Sequence, residues 1–181
     1  MNPARDGAIV VRIFVAAKRG APMEALAQVE ALTGVGLEGD RYTHTASGFS
    51  AHYQVTLIEI EAIESFMHAT GLALTPEMPR RNIVTRGVRL NDLAGKHFRI
   101  GGVLLEGAEL CEPCTLFAKR THREVLKHFA GRGGLRAKVI EGGTIRTGDS
   151  LHPDDLVNFP GVSESDKRAF ALDNTQPSEG K

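Results

Sequence analysis

Short apolar runs broken by glycine recur through most of this 181-residue chain, which holds 20 glycines. No other feature constrains the fold as tightly. Residues 9–17 are rich in β-branched side chains and read as a first strand. Residues 54–58 read as a buried strand, and Arg80-Arg81-Asn82-Ile83-Val84-Thr85 leads into another after Pro79. Residues 96–100 and 103–110 flank Gly101-Gly102, a hairpin signal, and 135–141 and 144–151 flank Gly142-Gly143. Helical spacing occurs twice. Ile60, Ile63, Phe66 and Met67 mark a helix over 59–70 that Gly71 ends, and Leu116, Val125, Leu126 and Phe129 mark one over 115–130 that the glycines of 131–134 break. Residues 25–32 fit either a strand or a short helix, and 43–51 read as a loop. Many short strands with only two helices predict a mainly β protein built as a partly closed β-barrel. The strands do not alternate regularly with helices, which argues against a doubly wound parallel sheet.

One domain is expected over residues 1–152. Residues 153–181 form a polar C-terminal extension, with a weak apolar patch at Phe170-Ala171-Leu172 and expected disorder over 174–181. Lys plus Arg and Asp plus Glu both number 22, so no global field draws the chain to nucleic acid or an anionic membrane. Trp is absent and there are two Tyr, too few for a stacking platform on single strands. The apolar run after the N-terminus contains Arg12 and stops at Lys18, too short and too charged for a membrane helix. The chain reads as cytoplasmic, with no nucleic-acid or membrane partner.

Four motifs stand out. Gly34, Gly36 and Gly39 match Gly-x-Gly-x-x-Gly, but no apolar helix opens on them, so an ordinary turn outranks a dinucleotide site. Next to them, Asp40 stands beside Arg41. A carboxylate there can hold the guanidinium for bidentate contact with phosphate, or simply pin a loop. Arg80-Arg81-Asn82 stands at the mouth of a strand, where the two adjacent arginines point to opposite faces, so at most one would face a common pocket. Arg132-Gly133-Gly134-Leu135-Arg136 is a basic turn whose glycines let backbone N–H groups approach an anion.

The two cysteines form Cys111-Glu112-Pro113-Cys114. Spacing leaves four readings open. Two buried thiols acting as small hydrophobes come first, and a lone reactive thiolate at Cys114, where a helix is expected to start at Thr115, comes second. A thioredoxin-like couple lacks the surrounding alternation of strands and helices. A zinc site would need His122 and His128, which fall on different helix faces.

Taken in order, Gly36-Leu37-Glu38-Gly39-Asp40-Arg41, Gln54-Val55-Thr56-Leu57-Ile58, Arg80-Arg81-Asn82-Ile83-Val84, Leu90-Asn91-Asp92-Leu93-Ala94-Gly95, Cys111-Glu112-Pro113-Cys114 and Arg132-Gly133-Gly134-Leu135-Arg136 resemble a MOSC domain. That family is named for the C-terminal domain of molybdenum cofactor sulfurase. The resemblance spans about residues 8–152. It implies a β-barrel-rich fold with a cleft, the molybdenum cofactor (molybdopterin) as ligand, and Cys114 as the residue that ligates molybdenum or carries a persulfide. It implies cofactor contacts from Arg41, Arg81, Asn82 and Arg136, to which the Asp40–Arg41 pair and the basic turn add Asp40 and Arg132 as candidates. Reduction of N-hydroxylated compounds belongs to larger family members. This chain shows no aminotransferase-like domain, hence no expected pyridoxal phosphate, and no ferredoxin-type cysteine set. A sulfur-donor or electron-donor protein is the implied partner. The alternatives are a non-catalytic carrier of the cofactor and a Cys-x-x-Cys redox protein.

Overall fold

The computed structural model describes residues 7–44 and 54–153. The fold is mainly β, and its strands are β1 (Ile9–Val15), β2 (Glu24–Leu26), β3 (Gln28–Leu32), β4 (Gly36–Leu37), β5 (Val55–Glu59), β6 (Ile83–Arg86), β7 (His97–Ile100), β8 (Val103–Leu110), β9 (Leu135–Glu141), β10 (Gly143–Arg146) and β11 (Leu151–Pro153). Eight of them form one sheet in the order β11-β7-β8-β9-β5-β6-β1-β2, and β10-β3-β4 form a second. The expected C-terminal extension lies outside the described residues, apart from Pro153, which ends β11.

Alternation along the central strands buries both faces of the large sheet. In β5, Val55 and Leu57 join one core with Ile13, Ile83, Leu105 and Leu135. Ile58 joins the other, with Phe14, Val84 and the helices. Helix α1 (Ile60–Thr70) carries Ile63 and Phe66 into that second core. It ends at Gly71, whose left-handed φ of 70° lets its N–H reach the Met67 carbonyl. The crossover through α1 sets β5 and β6 parallel.

The eight-strand ladder is not fully closed, since β11 and β2 are its edges, in keeping with the expected partly closed barrel. Closure stays partial: an isolated bridge joins Ile9 to Ser150, and the Leu151 N–H reaches the Ala8 carbonyl at 2.9 Å. Two other expectations need correction. The helix expected over 115–130 is two helices, α2 (Thr115–Arg120) and α3 (Val125–His128), so the described residues hold three α-helices rather than two. The break has a local cause. Thr121 leaves helical space at φ −131° and ψ −103°, with its hydroxyl bonded back to the Phe117 carbonyl. His122 then bonds the Ala73 carbonyl and stacks on Phe66. Finally, the strand expected over 144–151 is β10 and β11, separated by a turn in which Asp149 Oδ2 accepts the Arg146 N–H.

The glycine-rich segment at 34–39 forms β4 and a turn, followed by a 3-10 turn at Arg41–His44 rather than a helix. Gly36 sits where a Cβ would stand 2.9 Å from the Gln54 carbonyl oxygen. Its glycine serves close backbone packing. Among the described residues no helix is long and apolar enough to cross a membrane.

Candidate functional site

The second core gives way to a polar patch at Thr56 and Asn82, both buried. Asn82 precedes β6 and has every side-chain hydrogen-bonding group engaged. Its Oδ1 accepts from the Thr56 N–H at 3.1 Å and the Thr56 hydroxyl at 2.9 Å. Its Nδ2 donates to the Phe14 carbonyl at 3.1 Å and to Asp40 Oδ2 at 3.0 Å. Asp40 is completely buried and also accepts from the N–H groups of Ala16 and Tyr42. A buried carboxylate is tolerated only with such donors around it.

Arg41 leaves this hub toward the surface. Its Nη1 lies 3.5 Å from Asp40 Oδ2, and its Nη2 donates to the Tyr42 hydroxyl at 3.2 Å. The guanidinium carbon stands 4.5 Å over the Tyr42 ring centroid, a cation–π distance. Within its electrostatic reach is Arg80, whose proton affinity is lowered by burial first and then by the charges of Arg41 and Arg120, against a weaker opposite pull from Asp40. Arg80 Nη2 is buried without a hydrogen-bond partner. Arg80 also holds φ at 59°, in the left-handed region, where its N–H closes a turn on the Glu77 carbonyl. Arg41 lies against the Asp40 carboxylate, and Arg80, within electrostatic reach of Arg41, Arg120 and Asp40, keeps one donor unused, an arrangement that suits an anion.

Arg81 takes a different direction. Its Nε donates to the Gly133 carbonyl and its Nη1 to the Pro79 carbonyl. Gly133 packs its Cα against the Cys111 carbonyl so closely that a Cβ could not fit. The Cys111 N–H donates to the Gly134 carbonyl at 2.8 Å, and Glu112 Oε2 accepts the Gly131 N–H at 3.0 Å. Asn91 Nδ2 holds the Gly131 carbonyl at 2.7 Å. The segment carrying both cysteines is thus clamped to the turn over 131–134, and Arg81 ties that turn to the strand mouth.

Cys111 is 3% exposed, whereas Cys114 is exposed, and both thiols are free. Cys114 is the extended residue just before α2, with no side-chain cap bond. Helix α2 runs from it to Arg120, six residues or about 9 Å at the usual rise. Cys114 therefore opens the same short helix that ends at Arg120, whose charge acts on Arg80. Among the described residues no group of three or more His, Cys, Asp and Glu could cage a metal ion.

A family model for the MOSC domain matches residues 42–152, more than half the chain. This chain belongs to the MOSC domain family. Its fold is similar to that of the YuaD protein from Bacillus subtilis, at 17% identity and a TM-score of 0.69, over 82% of this chain and 98% of that one. YiiM from Geobacillus stearothermophilus gives 17% identity and a TM-score of 0.64, over 82% of this chain and 76% of that one. YiiM from Escherichia coli gives 20% identity and a TM-score of 0.57, over 93% of this chain and 80% of that one. Comparison with curated proteins gave no match.

The MOSC domain brings the expected residues together unequally. Asp40, Arg41 and Asn82 share one network, and Arg81 joins the Cys111–Cys114 segment through Gly133. Arg132 is exposed, within electrostatic reach of Glu59 and His128. Arg136 lies on β9 opposite Thr56 and pairs with Glu109 on β8. Of two further contributors, Arg80 was weighed from the sequence only as the neighbour of Arg81 and not taken as a ligand contact, and Arg120 was not singled out. The signal for Arg80 was its place after Pro79 in a turn. Arg120 became legible only once the expected long helix was cut short.

Proposed function

We propose that this MOSC domain binds the molybdenum cofactor, with the cluster of Arg41, Arg80 and Arg120 on the cofactor's phosphate and Cys114 as the one protein thiolate offered to the metal or to a transferred sulfur. MOSC domains are commonly associated with this cofactor. The observation that carries the reading is the pairing of an exposed thiol at the head of α2 with an unpartnered Arg80 donor within electrostatic reach of Arg120, the last residue of that helix. An anionic group fits such a donor, and a soft thiolate fits molybdenum or sulfur. When bound, the cofactor would supply a metal centre for oxygen, sulfur or electron transfer, including reduction of N-hydroxylated compounds with a partner donor. A metal already held by its organic ligand needs one side chain rather than a cage.

The chain's own residues would divide the remaining work. Asp40 and Asn82 would position Arg41 rather than touch the ligand, since their polar atoms are already engaged. Arg81 and Gly133 would fix the approach of the cysteine segment. Burial of Cys111 favours a one-thiol role for Cys114 over a disulfide couple.

Elemental analysis of protein from a cofactor-producing host tests the reading. Near-stoichiometric molybdenum is expected, and a metal-free protein under those conditions would overturn it. Turnover of hydroxylamine-type substrates with a reductant, lost in Cys114→Ala, would mark an enzyme. Bound molybdenum without turnover would mark a carrier. A reducible disulfide whose loss in Cys111→Ala abolishes activity would favour the redox couple instead.

A further inference from the structure

We propose that the exposed face of α2, α3 and the turn after them is a docking surface for an acidic protein that acts at Cys114. The inference rests on the reading of Cys114 as the working thiol, since one thiol needs a second reactant to be used repeatedly.

The charge of this chain is unevenly placed. Residues 111–132 hold Lys119, Arg120, Arg123, Lys127 and Arg132 against Glu112 and Glu124, a net +3. The whole chain balances 22 against 22, so the remainder has 17 cations and 20 acids, a net −3. All five cations are exposed. Among the described residues none of the five forms an ion pair with a carboxylate. One of the two acids, Glu112, holds the Gly131 N–H. The opposite side of the segment is anchored by Phe117, Val125 and Phe129 in the second core, which turns the cations outward. Leu116, 43% exposed, lies one turn before Lys119 and Arg120 and two residues after Cys114. A cationic field with an apolar contact beside a reactive atom is the complement of an acidic protein face. The aromatic rings here are buried, so the segment offers no stacking platform for nucleic acid.

The test uses the full chain and two protein probes, a strongly acidic [2Fe–2S] ferredoxin and basic cytochrome c. Ferredoxin binding should weaken at least about tenfold from low salt to about 0.2 M. The variant Lys119→Glu/Arg123→Glu/Lys127→Glu should weaken it at least tenfold again. Carbodiimide cross-links should join Lys119 or Lys127 to ferredoxin carboxylates. Equal binding of cytochrome c, salt-independent binding, an unaffected variant, or tighter binding of a short DNA duplex would each overturn the proposal. So would cross-links from these lysines to acids within 154–181 that ferredoxin does not displace. Molybdenum content of the same preparations reports separately on the cofactor reading, because the three substituted residues lie outside the Arg41–Arg80–Arg120 cluster.

Discussion

The Asn82 side-chain amide donates to the buried Asp40 carboxylate at 3.0 Å, across 42 residues of sequence. That bond joins the mouth of β6 to the turn that launches Arg41. It makes the direction of a surface arginine depend on two side chains that solvent does not reach. Removing either partner leaves a buried polar group without its complement.

Asn82→Ala is therefore expected to destabilise the protein by about 2–4 kcal/mol, the range for breaking a buried network and leaving a charged acceptor short of a donor. Denaturant midpoints at constant m-value measure it. A loss below about 0.5 kcal/mol would mean that water replaces the amide.

Cys114 should be alkylated faster than Cys111 in the cofactor-free protein. Cys111 is 3% exposed and its segment is clamped to the 131–134 turn, while Cys114 is exposed. Residue-resolved mass spectrometry of the time course is the measurement. Faster labelling of Cys111 would contradict the assignment.

Arg80→Gly separates strain from binding. Glycine accepts the φ of 59° that Arg80 holds, so stability should be unchanged or rise by up to about 1 kcal/mol. Cofactor affinity should nonetheless fall. A destabilised variant with unchanged affinity would make Arg80 a structural residue.

Acidification should weaken the fold through His128. Burial first, and then the Arg132 charge, lower its pKa from the usual value. A lowered folded-state pKa means the stability it contributes is full above the unfolded value of about 6.5 and is lost as pH falls through the folded one. Its Nε2 is buried without a partner, and the ring packs edge-on to Phe66. His128→Gln should flatten the thermal midpoint between about pH 7 and pH 5. An unchanged slope would place the acid sensitivity elsewhere.

The sheet was readable because its strands are short, β-branched and bounded by glycine, as over Leu135–Glu141, where expected and observed limits coincide. The second helix misled because Leu116, Val125 and Phe129 keep an apolar spacing across Thr121, while the His122 that follows is held by the Ala73 carbonyl and Phe66, far away in sequence. The site was partly readable. Adjacent Asp40 and Arg41 announced an oriented guanidinium, and the cysteine pair announced itself. Which of Arg80 and Arg81 faces Arg41 was hidden, because it turns on a left-handed residue in a turn rather than on strand alternation.

The contacts that build the site span long stretches of chain: 68 residues from Asn82 to Phe14, 52 from Arg81 to Gly133, and 42 from Asp40 to Asn82. Contacts of such range form late in folding, after the intervening loops have closed. A chain still emerging from the ribosome can hold α1 yet cannot complete the guanidinium cluster until α2, which carries Arg120, has followed. Ligand affinity is then a gauge of complete folding, and partly folded chains should not compete with finished ones for a scarce cofactor.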